Sequence, residues 1–260
     1  MQMVPAPRLT VVLPSFNSGA FLRPAVLSVL AAKRDDLEII VVDDGSTDDS
    51  IRSVDDLGVR VVRQKNAGEA AARNAGVSAS RGSFVTFLDG DDLLISSGLA
   101  PRLEYLDNNP KCLDVGGLPS ALIDERGEVL APVFSRMAAK QSFPLSLTLE
   151  RYRNDEFFPV SASLYLYRRE AFDKAGPYDE SLAAAPDADF HFRMLALGDI
   201  PVLKVPTFDR RLHGANLSLA AAKAGAPTFR PDILNAIHEV NRRHGMAPAV
   251  IAPWEAEYLS

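Results

Sequence analysis

The chain has 260 residues, of which 47% are hydrophobic, and its formal net charge at pH 7 is −6. A chain of this length can bury a large core as one or two domains, and its acidic balance argues against nucleic acid as a partner, because nucleic acids bind basic surfaces. The single cysteine, Cys112, excludes an internal disulfide and any zinc cluster built on cysteines.

The first residues, MQMVPAPR, lack the apolar region of a secretory signal. No stretch of the sequence approaches the length of a membrane span. We therefore expect a cytoplasmic protein, and peripheral association with the inner face of a membrane stays open.

The first half of the chain alternates short apolar runs with amphipathic stretches. It predicts strands at residues 9–14, 37–42, 59–62 and 83–88, and helices at residues 20–32 and 69–79. The second strand is β-branched and nearly continuous, which is typical of a strand buried on both faces. This alternation predicts an α/β fold with a mostly parallel sheet flanked by helices.

The pattern changes from about residue 109. Further strands are predicted at residues 111–117 and 161–168, a hairpin at 121–130 around a DERG turn, and helices at 190–197 and 232–244. No linker or repeat is evident, so the second half is expected to pack against the first.

The most acidic strand end is FLDGDD, where an apolar run stops at Asp89, Asp91 and Asp92. Side chains two apart on an extended segment point the same way, so Asp89 and Asp91 can reach one ion while Gly90 lets the backbone turn. Carboxylate oxygens suit Mg²⁺ or Mn²⁺. An acidic turn, in which Asp accepts backbone N–H groups, explains the same residues.

Two more polar clusters follow predicted strands, PSFN at residues 14–17 and DDGS at residues 43–46. In open α/β sheets, ligands bind beyond the carboxyl ends of the strands. We therefore expect these clusters and FLDGDD to converge on one rim.

Five segments occur in the order and approximate spacing of glycosyltransferase family 2: VVLPSFN, EIIVVDDGSTDDS, NAGEAAARNAG, FLDGDD and GPYDESLAAAPDADFHFRM. The chain resembles that family over about residues 9–197, with a weaker extension through RLHGANLS. The resemblance implies the GT-A fold, a Rossmann-like, mostly parallel sheet flanked by helices with an integrated acceptor-binding region. Residues 1–110 would then bind a nucleotide sugar, and residues 111–260 would supply the acceptor site and the catalytic base.

The resemblance also implies a reaction, the transfer of a sugar from a nucleotide-diphosphate donor to an acceptor hydroxyl with inversion. A UDP-sugar as donor, and a glycan or lipid-linked glycan as acceptor, are expectations taken from the family. The oligomeric state stays open.

The same resemblance implies a nucleotide site. Phe16 would lie against the base, and Asp43, ranked above Asp44, would accept hydrogen bonds from the base or ribose. The implied set is completed by Pro14, Asn17, Arg73, Asp89 and Gly90. Alternatives remain for several members: Phe16 as an apolar plug, Asp44 as a helix cap, and Arg73 either as a diphosphate ligand, as an anchor of the acidic rim, or as an exposed helix arginine.

The implied metal ligands are Asp91 first and Asp89 second, with His213 as a further candidate. Asp92 is expected to contact the sugar or a neighbouring amide. A divalent cation there, Mn²⁺ or Mg²⁺, would bridge the two phosphates and offset the charge that develops on the leaving nucleoside diphosphate.

The implied catalytic base is Asp187, six residues before Arg193. The family usually has Glu-Asp at this place, and here Pro186 replaces the Glu. Proline is well accommodated in the first turn of a helix, so Asp187 and Asp189 are also explained as first-turn acids near the positive end of a helix. Asp189 is the reserve candidate for the base.

Three other functions fit parts of the sequence. A degenerate sugar-nucleotide-binding protein would explain Pro186. A phosphohydrolase would also place DxD after an apolar strand, although normally after the first strand and not the fourth. A dehydrogenase is disfavoured because no GxGxxG follows the first strand.

Overall fold

The structure, a computed structural model, describes residues 6–140, 142–148, 151, 161–182, 186–214 and 242–243. In this part of the chain the strands are β1 Leu9–Ser15, β2 Leu37–Asp43, β3 Arg60–Arg63, β4 Phe84–Phe87, β5 Leu93–Leu94, β6 Asp114–Leu118, β7 Leu122–Ile123, β8 Val129–Ala131, β9 Leu145–Leu147, β10 Tyr165–Arg168, β11 Ile200–Pro206 and β12 Phe208–Arg211.

The α-helices in the same ranges are α1 Leu22–Leu30, α2 Glu69–Ala79, α3 Leu99–Asn108, α4 Val133–Lys140, α5 Glu170–Ala175 and α6 Pro186–Leu197. Short 3₁₀ helices span Gly19–Phe21, Ile51–Leu57, Ser96–Gly98 and Ala162–Leu164. The helix predicted at residues 69–79 has those bounds. The one predicted at residues 232–244 lies outside the described residues, apart from 242–243.

Eight strands form one mixed sheet in the order β3-β2-β1-β4-β10-β6-β11-β9. Strands β1 to β4 pair in parallel, as do β6 and β11. Strand β10 is antiparallel to both of its neighbours, and β9 is antiparallel to β11. The predicted α/β fold is confirmed, and the fully parallel part of its sheet is the part built by the first half of the chain.

Strand β10 joins the two halves of the chain, because it lies between β4 and β6. Residues on both sides of position 110 therefore contribute to one sheet and to one hydrophobic core. The division into segments 1–110 and 111–260 stays a proposal about roles.

Helix α2 lies close to the sheet because its inner face carries alanine and glycine. A Cβ atom at Gly76 would collide with the side chain of Val12 on β1, so a larger residue there would push the helix away. The close packing holds the first turns of α2, with Glu69 and Arg73, beside the carboxyl ends of the strands.

A second sheet of four strands, β5-β12-β7-β8, lies beside the carboxyl ends of the parallel strands. The predicted hairpin is confirmed as the antiparallel pair β7 and β8, with Gly127 in the turn at φ +89°. Strand β12 pairs antiparallel with β5 and parallel with β7. It thereby carries Arg210 and Arg211 to the end of FLDGDD.

The sequence analysis missed helices α3, α4 and α5 and strands β5, β9, β11 and β12. Helix α3 contains Pro101 in its first turn, where no intrahelical N–H bond is lost. Strand β11 is flanked by prolines (IPVLKVP), which argue against a central strand. These elements form because packing and strand pairing outweigh weak local patterns.

Gly98, just before α3, is predicted to be required for the path of the chain from β11 to β12. A Cβ atom there would collide with the carbonyl oxygen of Pro206, and a backbone atom cannot move aside cheaply. We expect Gly98→Ala to lower the free energy of unfolding by about 1–3 kcal/mol, measured by urea denaturation. Gly198→Ala is the control, because a Cβ at Gly198 meets nothing within 4 Å. Equal stability of the two variants would contradict the assignment.

Candidate active site

The carboxyl ends of the parallel strands form a rim that collects the polar clusters. Strands β1 and β2 end level, because Ser15 pairs with Asp43, and the N–H of Asp44 donates to the carbonyl of Ser15 at 2.9 Å. Beside them β4 ends at Phe87. Leu88 follows with its N–H donating to the carbonyl of Val12 at 3.0 Å, and Asp89 comes next. The register therefore brings the three clusters to one edge, where ligands of such sheets bind.

Asp89, Asp91 and Asp92 form the acidic cluster, in which one oxygen atom from each carboxylate lies within 4.8 Å of the others. The side chains of Asp89 and Asp91 are 19% and 23% exposed, whereas Asp92 is fully buried. Asp92 accepts hydrogen bonds from the N–H of Arg211 at 2.9 Å and from Nη1 of Arg210 at 3.1 Å. Asp89 and Asp91 are thus the two members that reach solvent.

Burial and the neighbouring charges shift the pKa values of Asp91 and Asp92 in opposite directions. Burial raises the pKa of Asp92 well above its usual range, and the charges of Asp91 and Asp89 raise it further against the opposing charge of Arg210. Burial also acts to raise the pKa of Asp91, but the hydrogen bond with His213 and the charge of Arg210 outweigh it, and the net shift is downward. Positive groups around the cluster therefore keep Asp91 ionised.

His213 lies against the acidic cluster. Its Nε2 atom is 2.9 Å from Oδ2 of Asp91, and its ring centroid is 4.8 Å from that of Phe21. The histidine is thus held next to a candidate metal ligand. Its own role as a metal ligand stays a prediction.

Arg73 is the centre of the site, with a side chain that is only 1% exposed. Its Nη1 atom donates to Asp187 at 2.5 Å, and its Nη2 atom donates to Glu69 at 2.5 Å and to Asp89 at 3.2 Å. The guanidinium also lies 5.5 Å from the ring centroid of Tyr178. Of the three roles open to Arg73, these contacts favour the anchor of the acidic rim and contradict an exposed helix arginine.

Asp187, the predicted base, lies in the first turn of α6, which begins at Pro186. Its side chain is 20% exposed, and Oδ2 accepts the N–H of Ala162 at 3.2 Å. Burial raises the pKa of Asp187, Arg73 opposes this shift, and the charge of Asp89 supports it. The carboxylate is therefore held in place beside the acidic cluster with a raised proton affinity.

Asp189, the reserve base, is placed differently. It is 4% exposed, and its Oδ2 accepts a hydrogen bond from Nε of Arg193 at 2.9 Å. Arg193 in turn donates to the carbonyl of Ala175. These contacts tie α6 to the end of α5 and favour a structural role for Asp189.

Phe16 and Asn17 shape the part of the rim that follows β1. The side chain of Phe16 is 50% exposed, which fits an open aromatic face and disagrees with a buried plug. Asn17 has a positive φ of 49° and joins two loops, because its N–H donates to Ser46 and its Oδ1 accepts from the N–H of Thr47. Asn17 therefore holds the loop that presents Phe16.

Asp43 and Asp44 have separate contacts. Asp43 accepts the N–H of Ser46 at 2.8 Å. Asp44 accepts from the side chain of Gln64 and from the N–H groups of Ala67 and Gly68, each at 2.8–2.9 Å. Asp44 therefore fixes the loop before α2. It does not cap the 3₁₀ helix Ile51–Leu57, which follows the DDGS loop.

Pro14 and Gly90 act through the backbone. A Cβ atom at Gly90 would lie 3.1 Å from the carbonyl oxygen of Pro14 and 2.8 Å from Oγ of Ser18. A larger residue at position 90 would require the side chain of Ser18 to move and the FLDGDD segment to shift slightly away from the end of β1.

Glu69, Arg210 and Arg211 belong to the site, but the sequence analysis did not single them out. Glu69 lies four residues before Arg73, a spacing that brings helix side chains together, so it could have been found. Arg210 donates to Asp89 at 3.2 Å as well as to Asp92, and Arg211 bonds to the carbonyl of Asp91. Strand β12 (FDRR) has no periodicity that could have predicted these contacts.

The fold and the rim define an α/β protein whose ligand site lies at the carboxyl ends of parallel strands. The family model for glycosyl transferase family 2 matches residues 10–176. The chain therefore belongs to glycosyl transferase family 2, as its motifs predicted.

Relatives in other organisms carry glycosyltransferase names. An uncharacterized glycosyltransferase of Nostoc sp. is 31% identical over 239 residues, covering 84% of this chain and 68% of the relative. One from Haemophilus influenzae is 34% identical over 109 residues, covering 40% of this chain and 44% of the relative. Chondroitin synthase of Escherichia coli is 25% identical, over 82% of this chain and 30% of that protein. The chain thus spans less than half of some relatives.

Solved structures of S. aureus TarS share the fold. Residues 1–349 of TarS, in complex with UDP-GlcNAc, align with a TM-score of 0.65 and 20% identity over 90% of this chain and 66% of that one. A second TarS structure contains UDP and aligns with a TM-score of 0.63. The predicted GT-A type of fold is confirmed by these neighbours.

No helix in the described residues is both long and apolar enough to cross a membrane. The predicted cytoplasmic location and its membrane face stay predictions.

Asp44 is predicted to contribute to stability through its loop. Asp44→Ala removes three hydrogen bonds and leaves the N–H groups of Ala67 and Gly68 without their acceptor. We expect the free energy of unfolding to fall by about 1–3 kcal/mol, measured by urea denaturation. Asp49→Ala is the control, because its pair with Arg52 lies on the surface and such pairs contribute little. Equal effects of the two substitutions would argue against this role of Asp44.

Proposed function

We propose that this chain transfers a sugar from a nucleotide-diphosphate donor, a UDP-sugar, to a hydroxyl of a glycan or lipid-linked glycan with inversion. The observation that carries the proposal is the contact of one buried guanidinium, Arg73, with both Asp89 and Asp187. In the proposed reaction Asp89 would serve the leaving phosphates and Asp187 the attacking hydroxyl, so this contact supports the two functions lying side by side. An inverting displacement needs these two functions on opposite sides of one sugar carbon.

The donor end of the proposal rests on the rim of β1 and β2. Phe16 offers an exposed ring on which a base of any kind can lie, and Asp43 supplies carboxylate oxygens for the base or ribose. The TarS neighbours bind UDP and UDP-GlcNAc, which supports a UDP-sugar as donor. Segment 1–110 would then be the nucleotide-sugar-binding part.

A divalent cation fits the acidic cluster. Asp89 and Asp91 offer partly exposed carboxylate oxygens, which are the ligands that Mg²⁺ and Mn²⁺ prefer. Both oxygen atoms of the buried Asp92 accept hydrogen bonds, one from Arg210 and one from Arg211. Asp92 would therefore support the site from behind. When bound, the cation would neutralise the charge of the two phosphates as the bond to the sugar breaks.

Asp187 would act as the general base. Its carboxylate would accept the proton of the acceptor hydroxyl as that hydroxyl attacks the sugar from the face opposite the leaving group. Arg73 and the N–H of Ala162 hold its two oxygen atoms, so the side chain need not reorganise for the reaction. Segment 111–260 would supply this base and the acceptor site, and the chondroitin synthase relative supports a polysaccharide as acceptor.

A second candidate function is a binding protein that kept the fold and lost turnover. The observation that favours it is Pro186, which carries no functional group at the place before Asp187. A protein with this binding function would bind a UDP-sugar without transferring the sugar or hydrolysing the donor.

The donor half of the proposal predicts cation-dependent binding of UDP. We expect UDP with Mn²⁺ to raise the thermal midpoint of the wild-type protein, and Asp91→Ala to weaken UDP binding in Mn²⁺ about tenfold or more, because it removes an anionic ligand of the cation. A thermal-shift assay measures the first effect and isothermal titration calorimetry the second, each with Mn²⁺ and with chelator. The exposed Asp55→Ala is the control. Stabilisation that is indifferent to chelator would refute the metal assignment.

The acceptor half predicts that Asp187→Asn reduces transfer about 10²–10⁴-fold while UDP binding is kept, because the amide cannot accept the proton whereas Glu69 and Asp89 still pair with Arg73. The base must be ionised and its pKa is raised, so the wild-type rate should fall on acidification at a pH above the range of an ordinary aspartate. The pH profile of kcat/KM measures this, because kcat/KM reports the pKa values of the free enzyme. An unchanged acidic limb in the Asp187→Asn variant would exclude Asp187 as the base.

A further inference from the structure

Glu69 is the most exposed of the three carboxylates that contact Arg73. Its side chain is 45% exposed, against 20% for Asp187 and 19% for Asp89. Its contact with the protein in the described residues is made by Oε1, which accepts from Nη2 of Arg73 at 2.5 Å. The other carboxylate oxygen is therefore available to a ligand at the rim.

A purely structural role does not explain this carboxylate. Arg73 carries one positive charge and already has Asp187 and Asp89 as partners, so a third carboxylate adds repulsion between the carboxylates. Burial at the rim raises the pKa of Glu69, the charge of Arg73 opposes this, and the charges of Asp89 and Asp187 raise it further; water screens part of the effect on so exposed a group. Groups held at such a cost are typical of functional sites.

The position of Glu69 defines what it can touch. It shares Nη2 of Arg73 with Asp89, on the side of the leaving phosphates, whereas Asp187 is bound to Nη1. In the proposed reaction the transferred sugar must lie between those phosphates and the base. Glu69 therefore borders the space for the sugar ring.

We propose that Glu69 accepts a hydrogen bond from a hydroxyl of the transferred sugar and is a specificity-determining residue of the donor site. The inference rests on the proposed function, because it requires a nucleotide sugar at the rim. A carboxylate bond to a hydroxyl is charge-assisted, and its geometry selects among sugars that differ in one hydroxyl.

The test is the affinity of Glu69→Gln for UDP and for the UDP-sugar that binds the wild-type protein most tightly in a panel of UDP-hexoses and UDP-N-acetylhexosamines. We expect UDP to bind equally and the UDP-sugar about ten- to a hundredfold more weakly. Deoxy analogues of that sugar, each lacking one hydroxyl, should include one that the wild type and the variant bind alike.

The matched control is Glu170→Gln. Glu170 also begins a helix and pairs with a cation four residues on, Lys174, but 51% of its side chain is exposed. Among the described residues it has no contact with the rim. Thermal midpoints of both variants check their folding, and Glu69→Asp provides a second variant that keeps the charge and withdraws the carboxylate.

The outcomes separate the two proposals. If no UDP-sugar of the panel binds the wild-type protein, the sugar site fails, and Glu69 fails with it. If the UDP-sugar binds the wild type and the effect of Glu69→Gln equals that of Glu170→Gln, only the role of Glu69 is refuted. Equal losses for UDP and the UDP-sugar would also refute it, because Glu69 would then act through Arg73.

Discussion

The site depends on the burial of one positive charge. Arg73 is almost fully enclosed, and three carboxylates from three parts of the chain, Glu69, Asp89 and Asp187, surround its guanidinium. A buried charge without its partners costs several kcal/mol, so the native state requires α2, the end of β4 and the start of α6 to meet at this point. Folding and assembly of the site are thus the same event.

The sheet makes that meeting possible. Strands β1, β2 and β4 are parallel, and their carboxyl ends share an edge. Strand β10 then adds an antiparallel partner to β4, and α6 can lie beside an edge that the first half of the chain began. The small sheet closes the other side, where β12 brings Arg210 against Asp89 and Asp92. Negative charge remains in excess at the rim, which suits a cation and a diphosphate together.

Much of the fold could be predicted from the sequence, because its signals are local. The nearly continuous apolar runs of β1 and β2 indicate strands buried on both faces, and the alanine-rich α2 buries a face that its helical periodicity shows directly. The elements that were missed, such as β11 with its flanking prolines and the four polar-rich residues of β12, have no such signal. They are strands because neighbouring strands provide hydrogen-bond partners, and those partners come together only in the folded chain.

The sequence by itself determined the family, the chemical types of the site residues and their place at strand ends. Motif order and the rule that ligands bind at the carboxyl ends of parallel strands are enough for that. Only the tertiary structure decided which residues contact one another. Asp44 holds a loop, and Asp189 pairs with Arg193. Glu69 joins the rim, and Arg73 links Asp89 to Asp187. The physical reason is that a salt bridge between residues 114 positions apart is set by packing and burial, which leave no periodic trace in the chain.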